Sequence, residues 1–149
     1  MTFALSSPAF AANGKIPQTH AQAGRNISPP LSWSGVPEQA KSLVLIVEDP
    51  DAPVGTFTHW AAYDIPPDRR ELPEAAHGLK QGRNDMGHAR YDGPKPPKGH
   101  GLHHYHFRLS ALDVPSLDLP ADASYREIKA AVRGHTLAET ELVGTFETH

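Results

Sequence analysis

The chain has 149 residues, 38% hydrophobic and 21% charged, the proportions of one folded, soluble domain spanning 1–149 and not of a disordered or membrane-spanning polypeptide. Its formal net charge of -3 is spread out, and no basic block marks a nucleic-acid partner. It has no cysteine, which excludes disulfides, thiol catalysis and Cys-ligated zinc or iron–sulfur centres, and no apolar run of about 18 residues to give stable membrane insertion.

Met1 to Ala12 is apolar enough to suggest a signal peptide. It lacks a Lys or Arg before Leu5, and Ser6, Ser7 and Pro8 interrupt the apolar run. The reading is mature sequence and a cytoplasmic protein. Residues 25–37 read as an irregular segment ending in a short strand, and Pro29 and Pro30 assign any strand there to a sheet edge. Residues 41–48 are a continuous apolar, β-branched run, the pattern of a buried central strand, halted at Asp49-Pro-Asp-Ala-Pro53. Residues 58–65 predict a second strand. A period of two places His59, Ala61 and Tyr63 on one face, and Trp60, Ala62 and Asp64 on the other. Residues 66–102 are rich in glycine and proline and read mostly as loop, and a loop that long in a small domain is usually functional. Residues 103–112 form a third strand, with His103, Tyr105, Phe107, Leu109 and Ala111 inward and His104, His106, Arg108 and Ser110 outward. Ser124-x-x-Glu127 is a capping box opening one helix over 125–133, with Tyr125, Ile128 and Val132 as its buried stripe and Gly134 as its stop. A last strand is expected over about 140–147. Many strands, many turns and one short helix predict a mainly-β fold, a β-sandwich.

Polar groups recur at one kind of place: a strand end beside a Pro/Gly-rich loop. These are Asp49 and Asp51, then His59, then His103 with Tyr105. If the strand ends converge, two imidazoles and a phenol offer donors to an anion, a carboxylate orients an imidazole, and backbone N–H groups from Gly93 to Lys95 complete a concave site. Each residue also has a plainer reading. Asp before Pro commonly caps a turn. A strand histidine is often only a satisfied core residue, and Trp60 reads as core packing.

The motifs Asn26-Ile-Ser-Pro-Pro-Leu-Ser-Trp33, Asp49-Pro-Asp-Ala-Pro53, His59-Trp60, Gly93-Pro-Lys-Pro-Pro-Lys-Gly99 and Gly101-Leu-His-His-Tyr105, in this order, resemble the phosphatidylethanolamine-binding protein family, and most of all its bacterial Raf kinase inhibitor-like branch. The resemblance runs from about Ser6 to Phe146. It implies a sandwich of two antiparallel sheets and one pocket for phosphate-like anions or phosphoethanolamine headgroups. Carried over by motif, the pocket residues are Asp49, Pro53, His59, His103 and Tyr105, with Gly93, Lys95 and Pro97 from the proline-rich loop. Asp51 and Trp60 are structural support. Lys95 stands where the bacterial pattern often has cysteine, and His106 stands where an apolar residue is usual. The chain stops at His149 without the C-terminal helix of animal members, which implies a more open pocket.

The expected function is binding of a small anion without cofactor or metal, in a regulatory or inhibitor module. The branch alone suggests a homodimer, and no protein partner can be named. Imidazolium donors would make affinity fall as pH rises through the histidine range, roughly 6 to 7. The alternative is a hydrolase or lyase with His59 or His103 as base and Asp49 as orienter. No Gly-x-Ser-x-Gly elbow supports a covalent route. His100, His104 and His106 suggest metal, with His104 and His106 sharing a face and His59, His103 and Asp49 conceivable as a triad. Metal ranks below anion binding. Lys95 and Lys98 attract anions at most generally, and His20, His77, His88, His135 and His149 read as surface or local hydrogen-bonding residues.

Overall fold

The computed structural model describes residues 2–149. Met1, the first residue of the apolar opening segment, lies outside them. The strands are β1 (Ala4–Ser6), β2 (Leu31–Ser34), β3 (Ser42–Asp49), β4 (Phe57–Ile65), β5 (Glu71–Leu72), β6 (Lys80–Gln81), β7 (His103–Leu112) and β8 (Thr136–Phe146), with helix α1 (Tyr125–Val132) before the last. They form the expected sandwich. One antiparallel sheet runs β1-β2-β5 and the other β6-β4-β3-β7-β8.

β3, with its unbroken apolar run Leu43 to Val47, takes the centre of the larger sheet, paired with β4 on one side and β7 on the other. It buries side chains on both faces. Leu43, Leu45 and Val47 join Trp60, Phe107 and Leu109 against Leu5, Leu31 and Trp33 of the smaller sheet. Val44 packs on the opposite face with Ala61, Tyr63, Leu112 and Ile128 of α1. Each such side chain, fully buried, contributes roughly 1.5–3 kcal/mol of transfer free energy. Ser124 caps α1 by accepting the Glu127 N–H, and Gly134 lies in the left-handed region just past its end. Only Ile128 of the predicted stripe is fully buried, Tyr125 and Val132 being half-buried.

Four expectations change. First, β2 is the middle strand of its sheet and not an edge. Pro29 and Pro30 precede it, so Leu31–Ser34 pair on both sides, with β1 and β5. Second, the opening segment, read as mature sequence, adds a strand that no pattern in it predicts, β1, and buries Leu5 and Phe10. Third, β8 begins four residues early, at Thr136. The polar Thr136–Glu139 stretch owes its strand conformation to pairing with β7 and not to its own hydrophobicity. Fourth, β4 does not alternate. Val47 pairs with Trp60 but Glu48 with Thr58, so His59 is an extra residue, a β-bulge. A second shift between Leu43 and Leu45 is absorbed near Asp64, whose φ is +54°. Thus His59 leaves Ala61 and Tyr63, which face α1, and turns with Trp60 toward Tyr105.

Candidate functional site

The ends of β3, β4 and β7 converge. Pro50 ends the β3 ladder because it has no N–H to donate. The Asp49 carboxylate then serves two elements. Oδ1 accepts the Asp51 N–H at 2.8 Å, closing an Asx turn, and Oδ2 accepts Nδ1–H of His103 at 2.6 Å. Both side chains of this pair are buried. Asp51, in the turn, and His104, the next residue on β7, repeat the arrangement on the outer face. Asp51 Oδ2 accepts the backbone N–H and the Nδ1–H of His104, both at 2.8 Å. The turn after β3 is therefore fastened to both faces of β7.

The bulge brings His59 into the same group, with its ring centroid 5.3 Å from Tyr105 and 4.9 Å from Phe57. Its Nδ1–H donates to the Asp92 carbonyl at 2.9 Å. That fixes the tautomer and leaves Nε2 with a lone pair when the ring is neutral. Burial pushes the His59 pKa below its usual value of 6.5, against the opposing pull of the Asp92 carbonyl and the Asp49 and Asp92 charges. For His59 the expected donating imidazolium therefore shifts to lower pH, because burial disfavours the charged ring, and the one proton of the neutral ring is already committed to Asp92.

Tyr105 is buried, and its hydroxyl has no hydrogen-bond partner among the described residues. Burial, reinforced by the Asp49 charge, raises its pKa well above 10, so it remains a neutral donor. His103 Nε2 lies 2.5 Å from Nδ1 of the exposed His100, which extends a chain of titratable groups from Asp49 to the surface.

These groups border a cavity of about 400 Å³. Asp49, Pro53, His59, Lys95, Pro97, His103 and Tyr105 all line it, together with Gln22, Val54, Phe57, Asp85, Met86 and Pro96. Gly93 lies behind the wall. Its N–H donates to Asn26 Oδ1 at 2.7 Å, and a Cβ there would sit 1.9 Å from the His20 carbonyl oxygen, so close approach demands glycine. Trp60 is in the core, its indole N–H donating to Gln81. Lys98 is exposed.

The support that sequence reasoning missed is Asp92. Its buried carboxylate accepts from Asn84 at 2.8 Å, His88 at 2.8 Å, Asn26 at 3.3 Å and Arg90 at 3.3 Å. Burial pushes its pKa up, but these donors outweigh that and hold it below 3.8. The two backbones also bond, Asp92 N–H to the His59 carbonyl at 3.2 Å. The visible signal was Asn26, the first residue of a quoted motif. Of the other histidines, His20 is buried, not superficial, and bonds the Ile27 carbonyl. His104 and His106 pair with Asp51 and Glu141 respectively, and no three metal-ligating side chains converge among the described residues. His106 is polar because its neighbourhood is ionic: Arg108 bonds Glu48 and Glu141, and Lys129 bonds Glu48.

The model of the phosphatidylethanolamine-binding protein family matches residues 6–147. A UPF0098 protein of Aquifex aeolicus is 46% identical over 148 residues, covering 95% of this chain and 86% of that one. A crystal structure of a phosphatidylethanolamine-binding protein homologue from Chlamydia trachomatis superposes with a TM-score of 0.93 at 40% identity, covering 99% of both chains. Escherichia coli YbcL, described as a member of the mammalian family, gives 0.93 at 31% identity over 100% of both. With the pocket motifs on converging strand ends, the chain belongs to the phosphatidylethanolamine-binding protein family.

Proposed function

We propose that this protein binds a small oxyanion, phosphate or a phosphoethanolamine-like headgroup, in the cavity bordered by Asp49, Pro53, His59, Lys95, Pro97, His103 and Tyr105. The observation that carries the reading is the Tyr105 hydroxyl, a buried donor at the cavity beside the Asp49 carboxylate that makes no well-formed hydrogen bond among the described residues. Buried polar groups without partners are rare and costly, so one at a cavity wall marks a place where a ligand supplies the acceptor. Lys95 at the exposed lip adds charge attraction. The reading carries with it a non-enzymatic, regulatory or inhibitory role, a cytoplasmic setting and a homodimer. Calorimetric titration with phosphate and phosphoethanolamine tests the binding. Saturable heat that disappears in Tyr105→Phe with His103→Ala supports it, and no heat up to about 10 mM, an affinity of only roughly -3 kcal/mol, sinks it.

A second reading is favoured by the Asp49–His103–His100 chain. A carboxylate that orients an imidazole is the arrangement of a general base. On that reading the pocket hydrolyses or eliminates a phosphoester, and turnover lost in His103→Ala, in a screen of phosphoesters, is the supporting result.

A further inference from the structure

We propose that the pocket requires its ligand to bring a proton, so that a hydrogen phosphate or hydrogen phosphomonoester is bound in preference to a fully ionised oxyanion of the same shape. The inference rests on the oxyanion-binding reading and deepens it.

Three observations support it. His59 spends its Nδ1–H on the Asp92 carbonyl, and His103 spends its own on Asp49. Each ring therefore keeps a lone pair at Nε2 while neutral, and that of His103 meets His100. The fixed charges lining the cavity are two carboxylates, Asp49 and Asp85, against one exposed ammonium, Lys95. The free neutral donor is the Tyr105 hydroxyl.

An unprotonated oxygen facing the His59 lone pair is repelled and leaves that acceptor unsatisfied. An oxygen that carries hydrogen donates to it, while a second oxygen accepts from Tyr105. The same lining carboxylates penalise a second negative charge. The groups facing His59 are Asp49 from β3, Asp85, Asp92 and Lys95 from the loops, and His103 and Tyr105 from β7. Burial holds His59 neutral to lower pH, consistent with an accepting role.

Phosphate and sulfate provide the probes, since both are tetrahedral and only phosphate retains a proton near neutrality. Calorimetry on the full chain at about pH 6.5 and matched ionic strength should show phosphate binding on the order of 10- to 100-fold tighter than sulfate, the size of one satisfied against one repelled buried bond. Sulfate should gain affinity as pH is taken down from 6.5, as His59 takes up a proton and becomes a donor. Ring ¹⁵N spectra report that site directly: phosphate should shift His59 Nε2 while Nδ1 remains protonated. His59→Gln, whose amide both donates and accepts, should bring the two affinities within about threefold. The wild-type sulfate series does not depend on that variant folding. Equal affinities at about pH 6.5 would overturn the proton requirement while leaving oxyanion binding intact. Absence of binding by both ions would overturn the two together.

Discussion

Replacing Tyr105 by phenylalanine removes one oxygen and leaves the ring, stacked 6.5 Å from His103 and edge-on to His59, in place. In the free protein that oxygen is buried beside the Asp49 carboxylate without a well-formed hydrogen bond among the described residues. A buried, unbonded hydroxyl costs about 1–3 kcal/mol, so Tyr105→Phe should stabilise the ligand-free fold by about 1 kcal/mol. For a chain of this size that is a rise of about 2–4 °C in Tm. Oxyanion affinity should fall about 2- to 12-fold, the worth of one neutral hydrogen bond. Added phosphate stabilises the wild type by mass action more than the variant, so the two melting curves should approach and then cross as phosphate rises. Calorimetric melts in phosphate-free buffer, then across a phosphate series, measure both effects. A ligand-free variant less stable than wild type by more than about 0.5 kcal/mol would refute the reasoning, since it would mean that the hydroxyl is satisfied within the protein.

Gly93→Ala should cost about 2–3 kcal/mol in urea unfolding and weaken anion binding, because the new methyl meets the His20 carbonyl backbone and pushes the loop into the cavity. Asp92→Ala should cost about 3 kcal/mol, since it strips the acceptor from Asn84, His88 and Arg90 while leaving their dipoles and charge behind. Its ring ¹⁵N spectrum should also show a loosened His59 tautomer. The lowered His59 pKa has a signed consequence: the group's contribution to stability is fully present above 6.5 and is lost as pH falls through 6.5 toward the folded value. Unfolding free energy should therefore drop more steeply between about pH 7 and 5 in wild type than in His59→Gln, and identical slopes would show that His59 is not held neutral. Lys95→Ala should leave Tm within about 1 °C and lower anion affinity about two- to threefold at low salt only, because an exposed charge acts through a screened field.

The central strands were legible because each carries its own pattern. Ser42–Asp49 carries an unbroken apolar run from Leu43 to Val47, and His103–Leu112 alternates in register with the core. The short β1, β5 and β6 were not, since two or three residues have no period and exist only through their partners. His59 shows the sharper difficulty. Strict alternation sends it away from Tyr105, and the motif resemblance, not the periodicity, placed it in the pocket. An inserted residue is a property of two strands together, and neither sequence alone displays it. Gly93 was singled out for a backbone N–H that proves to be committed to Asn26. Asp92, which anchors His59, is not legible because its partners Asn84, His88 and Arg90 sit in an aperiodic loop and Asn26 lies 66 residues away.

The two Asp–His pairs that fasten the turn after β3 to opposite faces of β7 also bear on the thermodynamics of association. A wall clamped from inside and outside has few conformations left to lose when a ligand arrives. Little ordering entropy is then subtracted from a handful of polar contacts, and a solute of only a few atoms can be retained. Cutting the exposed clamp with Asp51→Ala would leave every lining side chain in place. It would loosen the wall, and the affinity lost would appear as a less favourable entropy with the enthalpy nearly unchanged.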